Sequence, residues 1–384
     1  MLRLDGEALK REAAARAGLA EFGDDPFADN FAHFVDALNK DGRLSDQGVE
    51  LACAEILALL RNRLEVRRWH EERPEIAAEA IERPIFLMGL PRSGTTFLHH
   101  LFDHDPDLRL LRAWETLRPC PPPSFDPGSV PGRIEAAYQF VGQWKQEVVN
   151  FDAIHLMDAE GPDECSLILN QAFAQAGFQN YLRVPSFFEW MLESLDYERA
   201  YAYHKSVLQL LQWRAAPRRW VVKYPNHILA MRQIRQIYPD AVFVVSHRDP
   251  VQTLASICDL THQYRAPRIV ENDRREIGRE MWRFVDRHIE RLMAFDDRGA
   301  QVLNVDYYDL VADPVREVAA IYEQLGMTMP AAVRAKLGDW TERNPKGKRG
   351  EHRYRLEDYG LDSARVSAGF ADYRARYAIP VEHE

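Results

Sequence analysis

Two rhythms of apolar and polar positions divide this chain. Up to residue 82 the apolar positions recur about every three to four residues, the spacing of a helix face. Glu7–Leu19 is rich in Ala, Leu, Glu and Arg, all good helix formers. Asp24-Asp25-Pro26 stops that helix, and Phe27–Leu38 makes a second. Ser45 is placed to cap a third, Asp46–Trp69, whose apolar face carries Val49, Leu51, Ile56, Leu59, Leu60 and Leu64. Pro74 opens a short fourth helix that ends at Ile81. From residue 83 the rhythm changes. Short continuous apolar runs at Pro84–Leu90, Arg219–Lys223, Ala241–Ser246 and Val302–Val305 predict strands buried on both faces, as parallel strands are. Leu108–Glu115 reads as a further strand, which puts Glu115 at a strand end. Between them lie helical stretches at 134–149, 162–173, 187–195, 197–214, 228–237, 251–260, 272–296 and 313–325, with a last one at 363–377. Strands alternating with helices make the fold class α/β, a three-layer arrangement with a central parallel β-sheet flanked by helices. The expected division is an all-helical N-terminal segment, 1–82, packed on an α/β domain, 83–384, with a helical insertion at about 132–215.

Composition narrows the function classes. The 384 residues are 46% hydrophobic and 28% charged, an ordinary soluble globular balance. No long apolar run suggests a transmembrane segment, and the start Met1-Leu2-Arg3-Leu4-Asp5 is unlike a signal peptide. The formal charge of −10 argues against nucleic acid as a partner, so any anion site must be local. Cys53, Cys120, Cys165 and Cys258 are scattered without a CxxC, as expected of buried thiols in the cytoplasm rather than a metal site. Pro119–Pro131 holds six prolines and reads as an irregular loop. Aromatic residues crowd the insertion, either as helical core or as lining of an apolar acceptor pocket.

The first apolar run leads straight into chemistry. Gly89-Leu90-Pro91-Arg92-Ser93-Gly94-Thr95-Thr96 follows the strand and opens a helix, which makes the fold P-loop-like. A helix N-terminus presents unpaired N–H groups and the positive end of its dipole to an anion. Gly94 allows close approach, Ser93, Thr95 and Thr96 add hydroxyls, and the cation is Arg92. Thr95 stands where a P-loop carries its lysine, so this loop is poorly suited to a Mg-bound triphosphate. Arg248 ends another strand, and Ser256 lies two turns into the next helix, so both can grip one phosphate. A basic loop, Gly338–Asp358, offers Lys348, Arg349 and Gly350 as a lid. Two grips and a lid imply a nucleotide phosphorylated at two places.

These motifs resemble the sulfotransferases that use 3′-phosphoadenosine 5′-phosphosulfate. Pro91–Thr96 looks like their 5′-phosphosulfate loop, and His247-Arg248-Asp249-Pro250 with Thr253 and Ser256 looks like their 3′-phosphate motif. Tyr307-Tyr308-Asp309-Leu310-Val311 resembles the next strand-end motif, whose first Tyr contacts the cofactor. The resemblance runs from Pro84 onward and implies metal-free, in-line transfer of a sulfuryl group to a hydroxyl, or less often an amine, of a small-molecule acceptor. It implies Arg92 at the bridging oxygen and Lys223 at the sulfuryl oxygens or leaving group. A base is needed for the acceptor proton. Glu115 is the first candidate and His155 the second. A P-loop kinase or nucleotide hydrolase is the competing enzyme reading, and a non-catalytic nucleotide-binding scaffold the competing binding reading. Pairing as a homodimer, through the aromatic helices or the N-terminal block, stays open.

Overall fold

The computed structural model describes residues 3–19, 22, 25, 27–149, 151, 156–344 and 354–382. Five parallel strands form one sheet in the order β2-β3-β1-β4-β5: β1 (Ile85–Gly89), β2 (Leu108–Leu110), β3 (Arg219–Lys223), β4 (Val242–His247) and β5 (Gln301–Asp306). The register sets Leu87 opposite Lys223, Gly89 opposite Ser246, and His247 opposite Asp306. The C-terminal ends of β1, β3, β4 and β5 therefore share one edge of the sheet. Ligands bind at that edge in open α/β folds.

Strand side chains alternate between faces. Phe86 and Met88 of β1 join Phe243 and Val245 of β4 in the larger core. Ile85, Leu87, Val242 and Val244 face the smaller one, beneath Leu98, Leu101 and Phe102 of α4 (Thr95–Phe102). The N-terminal helices α1 (Gly6–Ala17), α2 (Phe27–Asp41) and α3 (Asp46–Glu72) contribute to the larger core. Ser45 caps α3 by accepting from Gly48 N at 3.0 Å. Asn30 Nδ2 donates to the Ala172 carbonyl at 3.0 Å, and Arg43 meets Glu276 at 2.8 Å, so this block is tied to the rest of the chain.

Several boundaries depart from the sequence reading. The strand expected at Leu108–Glu115 stops at Leu110, and Ala113–Leu117 is a short helix, α5. Glu115 accepts the Arg112 N–H at 3.0 Å, which starts that helix and ends the extended run. The proline-rich loop gives way at Val130 to α6 (Val130–Glu147), with Pro131 in its first turn where no N–H is required. The helix expected from Pro162 begins only at Ser166 (α7, Ser166–Gln171), leaving Asp163 and Glu164 ahead of it. The stretch 331–343, partly assigned to the basic loop, is helical.

Candidate active site

The loop after β1 is built around two residues with positive φ. Gly94 has φ +91°, and a Cβ there would meet Tyr307 Cδ2 at 2.8 Å, so only glycine fits without displacement. Arg92 has φ +69°, a conformation that costs a non-glycine residue roughly 1–2 kcal/mol. The turn aims the Arg92 carbonyl at Arg248, whose Nη1 donates to it at 3.1 Å. Arg92 Nε donates to Ser256 Oγ at 3.1 Å. The Arg248 guanidinium lies 4.4 Å from the Tyr307 ring centroid. The anion loop, Arg248 with Ser256, and Tyr307 thus meet at one point, while the basic loop around Lys348 lies outside the described residues.

Arg248 holds an anion here. Its Nε and Nη2 fork onto the Glu382 carboxylate at 3.1 and 3.0 Å. Tyr308 Oη donates to the same carboxylate at 3.0 Å, and the Glu382 N–H donates to Asp249 at 2.9 Å. A carboxylate in the fork shows what Arg248 is oriented to grip: a doubly ligated oxyanion.

On the other side of the loop, Lys223 is buried at the end of β3. Its Nζ donates to Thr96 Oγ1 at 3.0 Å and pairs with Glu164. Glu164 precedes α7 and lines the cavity; nothing local in the sequence marked it. Asp163, its neighbour, also lines the cavity, and burial pushes its carboxyl up to about 6. Ser93 Oγ is buried with no hydrogen-bond partner among the described residues.

One cavity of about 1020 Å³ joins these parts. Arg92, Gly94, Thr95, Thr96, Arg248 and Tyr307 line one side of it, and Glu164 lines it with them. The remainder is walled by α3, α6 and the segment after it, with Leu51, Phe140, Trp144, Leu156, Met157 and Tyr264 among the lining residues. Some of the crowded aromatics therefore line the cavity, while others such as Phe173, Phe187 and Phe188 are core.

The sequence candidates for the base fare differently. Glu115 is buried, binds Arg109 through both oxygens and does not line the cavity. Its lone pairs serve Arg109 and the Arg112 N–H, which makes it a poor proton acceptor. His155, Lys348, Arg349 and Gly350 lie outside the described residues. His227 is buried, bonded to Tyr201 Oη at 2.6 Å, and held well below its ordinary value chiefly by burial. It is a structural histidine. Among the described residues no group of three His, Cys, Asp or Glu side chains is arranged to hold a metal ion. None of the described helices is long and apolar enough to cross a membrane.

A sequence model described as the sulfotransferase family matches residues 84–331. No curated protein matches the chain. Among solved structures, the fold is similar to sulfotransferase STF9 from Mycobacterium avium, with a TM-score of 0.89 and 27% identity, covering 98% of each chain. It is also similar to sulfotransferase STF1 from Mycobacterium tuberculosis H37Rv, with a TM-score of 0.83 and 29% identity, covering 96% of this chain and 99% of that one. The family match begins at the first strand and runs through the anion loop, Lys223, Arg248 and Tyr307, so the chain belongs to the sulfotransferase family.

Proposed function

We propose that this sulfotransferase moves a sulfuryl group from 3′-phosphoadenosine 5′-phosphosulfate to a hydroxyl of a small lipophilic or aromatic acceptor. The observation that carries the reading is the convergence of Arg92, Ser256 and Arg248 on one side of the loop with Lys223 and Thr96 on the other. The donor supplies a sulfur already bonded to a good leaving group, its 5′-phosphate. The acceptor oxygen forms the new S–O bond, the S–O bond to that phosphate breaks, and the acceptor proton leaves to a base.

Each residue then has a task. The N-terminus of α4, with Ser93, Thr95 and Thr96, holds the 5′-phosphate. Arg248 takes the 3′-phosphate in the fork that Glu382 occupies, with Ser256 beside it. Arg92 and Lys223 neutralise charge developing on the leaving oxygen. Glu164 takes the acceptor proton. It is the carboxylate that both lines the cavity and touches Lys223, which Glu115 does not. Lys223, between Glu164 and Thr96, holds that carboxylate next to the reacting group until the donor binds.

The reading is tested by calorimetric titration with 3′-phosphoadenosine 5′-phosphate beside ATP, each with and without Mg²⁺. Micromolar, metal-independent binding of the bisphosphate with little for ATP is expected. Mg-dependent ATP binding without the bisphosphate would overturn the reading in favour of a kinase or nucleotide hydrolase.

A further inference from the structure

We infer that the acceptor carries a second, hydrogen-bond-donating head, a hydroxyl or an ammonium, and that Glu55 on the cavity wall receives it. The inference deepens the sulfuryl-transfer reading and rests on it. Helix α3 turns one face to the cavity, with Leu51, Ala54, Glu55, Ala58, Leu59 and Asn62 along it. These positions follow the helical spacing, so they form one stripe. Ala54 and Ala58 flank Glu55 with short side chains that stay exposed, which leaves the carboxylate room to be reached. Glu55 is the one acid in the stripe, and a carboxylate on a largely apolar face calls for donors to both its oxygens.

The bonds around it run in one direction. Tyr181 Oη donates to Glu55 Oε1 at 2.7 Å, so its proton is spent there. Asn170 Nδ2, 3.5 Å from Tyr181 Oη, must then be the donor in that contact. The chain goes amide, phenol, carboxylate, and ends on an acceptor. Among the described residues Glu55 Oε2 has no donor of its own. Burial holds the Glu55 carboxyl above its ordinary value, so a donating ligand would relieve it.

The neighbouring charges agree. Arg268 acts on Glu55 but is committed elsewhere: it pairs with Glu147 at 3.1 Å and lies 4.3 Å from the Trp144 ring centroid. Two carboxylates thus share the one guanidinium of Arg268. Apart from Arg92 and Arg248 at the anion loop, three further arginines line the cavity: Arg61, Arg118 and Arg133. Arg61 faces Glu65 at 3.8 Å, its Nε without a hydrogen-bond partner among the described residues, and its reach is along the helix toward Glu65; Arg133 spends both terminal nitrogens on the Arg118 and Pro121 carbonyls. Arg118 is exposed, and an anionic head would have to be met there or at Arg61 instead.

The test uses phenols substituted para with alkyl chains of two to eight carbons, ending in methyl, hydroxyl, primary amine or carboxylate. Transfer is read as kcat/KM for wild type, Glu55→Gln and Glu55→Ala, with bisphosphate affinity measured on each protein. At the chain length that spans the cavity, the hydroxyl or amine member should exceed the methyl member about 10- to 100-fold, the ratio that a hydrogen bond to a charged group carries. Glu55→Ala should collapse that ratio through KM. Glu55→Gln should keep the hydroxyl preference and lose the amine preference, a split that a merely structural role for Glu55 would not produce. A preference for carboxylate heads, a ratio that survives Glu55→Ala, or no turnover of any phenol by protein that binds the bisphosphate would each overturn the inference and leave the cofactor reading standing. Failure of wild type to bind the bisphosphate would instead remove the reading beneath it.

Discussion

Replacing Glu382 with Gln should tighten binding of 3′-phosphoadenosine 5′-phosphate. The Glu382 carboxylate sits in the Arg248 fork, at 3.1 and 3.0 Å, where the proposed 3′-phosphate must go. The two anions cannot share the fork, so each binding event must first free Arg248. Both partners are largely shielded, at 12% and 25% side-chain exposure, and the bond is bidentate with a third donor from Tyr308. Such a pair is worth about 1–2 kcal/mol, above the surface-bridge median and below a buried pair. A site blocked by that margin loses about 5- to 30-fold in apparent affinity, because only the freed fraction binds. Glu382→Gln and Glu382→Ala should recover that factor in calorimetry. Adenosine 5′-monophosphate, which lacks the 3′-phosphate, should bind all three proteins alike. Unchanged or weaker bisphosphate binding in both variants would refute the competition and make Glu382 a support for the Arg248 pose.

Four further outcomes test the site. Glu164→Gln should lower kcat by about 10²- to 10⁴-fold, the usual contribution of a general base, while bisphosphate affinity measured by calorimetry stays within a few-fold. Glu115→Gln should instead cost about 3 kcal/mol or more in denaturant unfolding, because it strands the half-buried Arg109; lost turnover with intact stability would reinstate Glu115 as the base. Gly94→Ala puts a Cβ 2.8 Å from Tyr307 at φ +91° and should weaken the bisphosphate by about tenfold or more, a loss of order 1–3 kcal/mol. Asp163 is held at about 6 against an ordinary 3.8, so its contribution to stability is full below 3.8 and is lost as pH rises to about 6. At roughly 1.36 kcal/mol per pH unit, Asp163→Asn should gain at most about 3 kcal/mol over wild type at pH 8 and little at pH 4, read by thermal melts; a gain independent of pH would show that burial of the charge is not the cause.

What was legible in the chain was what is local. The apolar run Ile85–Met88 running into Pro91–Thr96 announces strand, anion loop and helix within one stretch, and the described residues fold that way. Arg248 and Ser256 were legible because strand end and helix face set their spacing. Lys223 was legible as a strand end. Glu164 was not, because what singles it out is its contact with Lys223, 59 positions away. Glu382 meets Arg248 across 134 positions and had no local signal either. Glu115 was misplaced for a different reason. Leu108–Glu115 has enough apolar character for a strand, but Glu115 folds back onto the Arg112 N–H and Arg109, and that local bond overrides the β pattern. The strand order β2-β3-β1-β4-β5 likewise follows from helices crossing between strands, which no window of sequence contains.

A net charge of −10 looks ill suited to the proposed polyanionic co-substrate, and the arrangement of the site answers the conflict. The acids are not spread evenly around the cations; selected ones are bonded to them. Arg248 holds Glu382, Lys223 holds Glu164, and Arg92 rests on the neutral Ser256 hydroxyl. Each bond keeps a buried or half-buried cation solvated by the protein, since an unpaired one would cost several kcal/mol. Each can also be exchanged for a phosphate or sulfuryl oxygen with little change in local charge. The exchange is not equivalent at the two acids. On the proposed reading Glu382 has only to leave, whereas Glu164, released from Lys223 as that lysine turns to the sulfuryl group, becomes free to accept a proton. On this argument the base is unmasked by the same event that charges the site, so Lys223→Met, which removes the exchange, should lose turnover by a factor as large as Glu164→Gln does, and the double variant should lose little more than either alone.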